Sequence, residues 1–193
     1  MSNTNTVKFG LKGCYYAKGT LATNGSMTYG TPVALPGAVS LSLEAQGENT
    51  PFYADDIIYY MGNSSSGYSG DLELAKIPDS FKKDILGYAE DANGILYEPA
   101  SPAVEHFALI FQFSGDKHNT KHVMYNCTAS RPAVASSTKT ESTEPQTESV
   151  TITASSVFVS ALNKDVVKAS VTPTESTAYN AWETSVYSIV TTA

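Results

Sequence analysis

Apolar and polar residues alternate along much of this chain, which is the period of a half-buried strand. "AVSLSLEAQ" sets Val39, Leu41, Leu43 and Ala45 on one face and Ser40, Ser42, Glu44 and Gln46 on the other. "VKFGLKGCYYA" predicts a first strand from Val7 to Ala17, followed by a Gly/Thr/Asn-rich loop with a turn at Asn24-Gly25. "FYADDIIYYM" and "YSGDLELAKI" read as the next two strands, joined by the loop "GNSSSG". In the second of them, Leu72 and Leu74 face one way and Asp71 and Glu73 the other. "HFALIFQFSG" and "KHVMYNCTAS" form a hairpin turning at Gly115-Asp116, with Phe107, Leu109, Phe111 and Phe113 on one apolar face. "SVTITASSVFVSA" returns to strand, followed by a turn at "LNKD" and the strand "VVKASV".

Two segments carry the helical period instead. In "IPDSFKKDILGY", Asp79 or Ser80 can cap a helix over about residues 79–86 that Gly87 ends; Phe81 and Ile85 then share a face. Near the end of the chain, Tyr179, Trp182 and Val186 fall at i, i+3 and i+7, with Ser176 or Thr177 as a cap. "DANG", Asp91 to Gly94, is a turn. "RPAVASSTKTESTEPQTE" has no apolar period and reads as a long exposed loop.

With 193 residues, 41% hydrophobic and 16% charged, the chain suits one domain with appended arms. A net charge of −7 and a single arginine, Arg131, argue against a surface that grips nucleic acid. Two cysteines, Cys14 and Cys127, are too few for a disulfide scaffold. No apolar run is long enough to span a bilayer, and "MSNTNTVKFG" lacks a signal-peptide core, so a cytoplasmic origin is expected.

The candidate chemistry is thin. Asp55 and Asp56 are adjacent on the expected strand and so point to opposite faces, which disfavours a shared proton or metal. Glu44, Asp71 or Glu73 could partner them in a hydrolase, but acids on one polar sheet face explain the pattern better. His118 and His122 have i, i+4 spacing, yet lie at a hairpin turn and lack the Glu of a zinc motif; His106 stands apart from them. Cys127, placed on a strand face with Val123, Tyr125 and Ala129, reads as a small buried hydrophobe. No phosphate loop, nucleophile elbow or dinucleotide fingerprint is present, and no cofactor or metal is expected.

The segments "VKFGLKGCYYA", "GTPVALPGAVSLSLEAQGENTPFYADD", "IPDSFKKDILG", "HFALIFQFSGDKH" and "HVMYNCTASRP…STEPQTESVTITA" together resemble the major tail proteins of long-tailed siphophages and prophages of Gram-positive hosts. The likeness covers most of residues 7–155, and "TPVALPGAVSLSLE", "TPFYADD" and "YNCTASRP" are its most specific phrases. It implies a mainly β fold, a β-sandwich or barrel with one flanking helix, over residues 1–155. Residues 156–193 would form a C-terminal extension or arm. It also implies a structural virion protein, not an enzyme, that assembles in the host cytoplasm into stacked hexameric rings. The rings would form a hollow tail tube through which DNA passes. The partners would be other copies of the chain, a tape measure protein, and tail terminator and distal tail proteins, with no membrane span.

On that reading Ser40, Ser42, Glu44, Asp71 and Glu73 face the lumen, where fixed negative charge repels DNA. Two stretches are expected as loops that reach between subunits. One contains Gly47, Glu48, Asn49, Pro51, Tyr53 and Asp55; the other contains Arg131, Pro132, Glu141 and Glu144. A β-sandwich binding module, either an adhesin or a virion decoration protein, is the alternative. It would need an exposed aromatic cluster in one loop, and none is evident from the pattern.

Overall fold

The structure, a computed structural model, describes residues 10–116, 118–136 and 146–190. Strand follows strand: β1 (Leu11–Leu21), β2 (Met27–Tyr29), β3 (Val33–Ala34), β4 (Ala38–Ala54) and β5 (Ile57–Leu74). Helix α1 (Asp79–Asp84) comes next, then β6 (Ala89–Glu90), β7 (Leu96–Tyr97), β8 (His106–Phe113), β9 (Lys121–Ala129) and β10 (Glu148–Ser155). The chain ends with β11 (Val157–Val159), β12 (Lys164–Val166), β13 (Lys168–Val171) and α2 (Ser176–Ala181).

The fold is mainly β, as the alternation implies. Nine strands form one antiparallel sheet in the order β2-β1-β8-β9-β10-β5-β4, with β3 added to β1 and β13 to β9. The sheet curls until β1 approaches β4. Its inner face closes on Tyr16, Leu72, Leu74, Phe107, Leu109, Val150 and Ile152, all fully buried. Helix α1 adds Phe81 to this core, edge-on to Tyr16 at 5.1 Å and to Phe107 at 5.6 Å. The Tyr16 hydroxyl donates to Asp84 Oδ2 at 2.7 Å, which orients the helix. Phe81 and Ile85 are buried as their spacing predicts, and Leu86 is buried beside them. The helix cap differs from expectation: Pro78 holds the N-cap position and no side chain caps the first turn.

A second core lies on the outer face of β1, β8 and β9. Ala17, Ala108, Ile110, Val123 and Tyr125 are covered there by Val157, Val171 and Trp182 of the C-terminal segment. Strand β8 is therefore buried on both faces, and its run of apolar residues serves two cores. A shift in the β8–β9 register between Phe107 and Leu109 explains a misplacement. It breaks strict alternation in β9, so Cys127 joins the inner core while Val123 and Tyr125 face the outer one. Both thiols are buried, and burial pushes each up to about 12, so both stay protonated at neutral pH.

A further expectation fails on the path from residue 47 to residue 67. Gly47 to Ala54 is not a loop but the far half of β4, and "GNSSSG" is not a loop but part of β5. The chain reverses at Asp55 and Asp56, whose φ values of 51° and 58° suit a two-residue hairpin turn of type I′. The first strand also runs on past Ala17 to Leu21; its expected start at Val7 lies outside the described residues.

Candidate assembly surfaces

The strands β4, β5 and β10 contain no lysine or arginine. Their pairing builds a ladder across the outer sheet face: Ser40 beside Glu73 beside Ser149, Ser42 beside Asp71 beside Thr151, Glu44 beside Ser69 beside Thr153. Cross-strand partners share a face, so these hydroxyls and carboxylates form one continuous field. Leu72, Leu74, Val150 and Ile152 of the same strands point the other way, into the core. The five residues Ser40, Ser42, Glu44, Asp71 and Glu73 thus do lie together, opposite the apolar set. Val39 is the exception to the predicted pattern. A bulge between Ala38 and Ser40 leaves it half exposed, and Ala38 packs on the core in its place.

The field is internally hydrogen-bonded. Thr151 Oγ1 donates to Asp71 Oδ1 at 2.7 Å, and Ser40 Oγ donates to Glu73 Oε2 at 2.8 Å. Thr147 Oγ1 donates to the other oxygen of Glu73. The Thr147 bond, then the Ser40 bond, hold the Glu73 carboxyl below its ordinary range, so it stays ionised at neutral pH. Hydroxyls that donate to carboxylates fix negative charge on the surface without neutralising it.

The far halves of β4 and β5 form a second surface. Strand β5 pairs with β10 only from Tyr68 to Leu74. Beyond Tyr68 the hairpin pairs with itself alone, an arm of about 25 Å at the usual rise per residue. Its base is a bulge: Gln46 pairs with Gly67, Gly47 with Ser65, and Ser66 is extra. Gly67 has φ +105°, a conformation other residues resist. Pro51 sits within β4 without loss because β4 is an edge strand. Glu48, Asn49 and Tyr53 are likewise arm residues, and Asp55 is at the vertex. Phe52, Tyr53, Ile57, Ile58, Tyr59, Tyr60 and Met61 are between 50% and 72% exposed. An exposed apolar cluster of this size marks an interaction site, and with Phe52, Tyr53, Tyr59 and Tyr60 around one turn it is also the exposed aromatic cluster that the sequence pattern did not make evident.

The remaining predicted residues are placed as follows. Arg131 is held within its own subunit: Nε pairs with Glu98 at 2.7 Å, and Nη2 donates to the carbonyls of Pro99 and Ala100 at 2.8 and 2.9 Å. Pro132 follows it, half-buried, whereas Glu141 and Glu144 lie outside the described residues. His118 is exposed in the β8–β9 turn, while the His122 ring stacks on Phe111 at 5.2 Å. Among the described residues no group of three His, Cys, Asp or Glu is gathered for a metal. Also among them, no helix is long and apolar enough to cross a membrane.

Sequence alternation missed the arm, because "GNSSSG" has loop composition and the Asp-Asp turn lacks glycine. The unbroken run "IIYYM" was the available signal, since a strand buried on one face only should alternate.

No curated protein sequence matches the chain at a significant level. Among solved structures, the cryo-EM structure of the anti-feeding prophage cap, a tube-terminating cap, aligns with 89% of this chain and 99% of its own. The identity is 12% and the TM-score 0.34, too low to carry an argument. The sequence pattern of the family described as phage tail tube protein, by contrast, matches residues 1–192. That match spans the acidic field, the arm and the C-terminal segment alike, and the chain belongs to the phage tail tube protein family.

Proposed function

We propose that this chain is the major tail subunit of a long-tailed phage or prophage of a Gram-positive host, built into hexameric rings that stack into a hollow tube. The observation that carries the reading is a division of labour across one sheet. Among the described residues nothing covers the outer face over β10, β5 and β4, which is acidic, and these strands carry no lysine or arginine. The outer face over β1, β8 and β9 is covered by the C-terminal segment. Because the sheet curls, these two regions look in different directions, and a ring can turn the bare one inward. A negative wall repels a polyanion, so DNA slides past without adhering.

The edge strand β4 and the projecting arm supply the means of association. Neighbouring subunits extend the sheet through such edges, and the arms reach adjacent copies. Assembly takes place in the host cytoplasm around a tape measure protein, and tail terminator and distal tail proteins close the two ends.

The test is electron microscopy of the purified chain, with sedimentation. Rings or tubes are expected, and a reconstruction should place Glu44 and Glu73 on the channel. A chain that stays monomeric at high concentration overturns the proposal and favours the binding-module reading.

A further inference from the structure

The outer half of the arm, from Pro51 to Met61, is apolar on both of its faces. The register pairs Phe52 with Tyr60 and Ala54 with Ile57, so Phe52, Tyr60 and Ile57 share one face. It pairs Pro51 with Met61 and Tyr53 with Ile58, so Tyr53, Ile58 and Met61 share the other. Tyr59 is the extra residue of the bulge between Phe52 and Tyr53. All of these large side chains are at least half exposed, on both faces. A hairpin laid on a single surface buries one face and keeps the other polar; one buried on both faces loses that alternation. The inner halves of the same strands show the contrast, with Ser42 and Asp71 on one side and Leu41 and Leu72 on the other. Beyond the Ser66 bulge, where the arm leaves its own sheet, the two strands first become polar and glycine-rich, and they turn apolar on both sides only from Pro51 and Met61 outward.

We infer that each arm is clasped between two other copies of this chain, one on the Phe52/Ile57/Tyr60 face and one on the Tyr53/Ile58/Met61 face. The inference rests on the self-assembling tube proposed above, which supplies other copies as the only surfaces every arm must meet. One face offers three large side chains, each between 50% and 65% exposed and not all aromatic, so it supplies less than the roughly 450 Å² of three fully buried aromatic residues. That is short of the roughly 800 Å² per partner of a stable contact. Occupying both faces doubles the apolar surface that each arm withdraws from water, and the vertex Asp55 and Asp56 remain at the turn between them. An arm held from both sides would tie three subunits together, so growth would depend on each face separately.

The test uses paired variants and chemical protection on the whole chain. F52S/Y60S and Y53S/I58S each change one face and leave the barrel core untouched. Each is expected to retain the wild-type circular dichroism spectrum and to lose tube formation. Single cysteine variants, Phe52→Cys and Ile58→Cys, report on the faces directly, because the two native thiols are buried. Both introduced thiols should react with a maleimide in unassembled chain and lose that reactivity in tubes. If wild-type tubes form and either thiol labels in them as fast as in free subunits, the clasp is wrong while the tube stands. If either serine pair assembles at wild-type yield and length, the clasp is equally wrong. If the wild-type chain forms no tubes under any condition, both readings fall together.

Discussion

Among the described residues, Lys121 is the only buried lysine, and it is fully engaged. Its ammonium pairs with Glu183 Oε1 at 2.7 Å, donates to the Tyr179 carbonyl at 3.2 Å and lies 4.2 Å from the centre of the Tyr179 ring. Tyr15 adds a hydroxyl to the second oxygen of Glu183 at 3.2 Å. Lysine and glutamate from distant parts of the chain thus fasten α2 and Trp182 to the sheet. The Lys121 hydrogen bond is the main reason that the Glu183 carboxyl sits below its ordinary 4.5. A depressed carboxyl contributes stability that is present above 4.5 and is lost as pH falls through the folded value. Glu183→Gln leaves the buried ammonium without its counter-charge. Because Glu183 is more than a third exposed, solvent screens part of the effect, and the expected cost is about 1 kcal/mol. Thermal melts of unassembled chain should show the deficit at pH 7 and a closing gap well below pH 4.5. An equal gap at both pH values would mean that the pair adds nothing beyond packing.

At the scale of elements, strands with one buried face were legible and strands with special backbone were not. Alternation alone sets Leu41, Leu72 and Leu74 on the face that packs on the core, because no other described segment covers the polar face of β4 and β5. β8 showed its inner face but not its outer one, since the cover comes from Trp182 and Val171, far away in sequence. The bulges at Val39 and within β9 shifted single residues, because each inserts one position that no periodicity records. The β4–β5 turn was misplaced because Gly, Asn and Ser favour loops, yet in β5 glycines serve close strand approach. Gly70 is the clearest case: a β-carbon there would collide with the backbone carbonyl of Ser42 across the ladder. That carbonyl belongs to a paired strand and cannot move alone. Gly70→Ala should therefore destabilise the isolated subunit by about 2 kcal/mol or more, within the range of diagnostic core substitutions. A urea melt with an unchanged midpoint would show that β4 separates from β5 at little cost and that the pairing is softer than drawn.

For the whole molecule, what matters is where the negative charge sits more than its total of −7. Glu44, Asp71 and Glu73 stand on a three-strand field where, among the described residues, no lysine or arginine pairs with them, and hydroxyl donors from Ser40, Thr147 and Thr151 hold the latter two carboxylates in place. If this field lines the channel, its charge sets how DNA moves through the tube. The double variant Glu44→Lys, Glu73→Lys reverses it on every subunit while leaving Leu41, Leu72 and Leu74 in the core. Tubes should still form, because neither glutamate is buried. DNA would then neutralise the new charges by releasing counterions, so binding should fall steeply as salt rises. Tails carrying the variant should eject DNA slowly at low ionic strength and regain speed at high salt. Ejection unchanged at every salt concentration, from tubes of normal length, would place the acidic field away from the channel even if the tube itself stands.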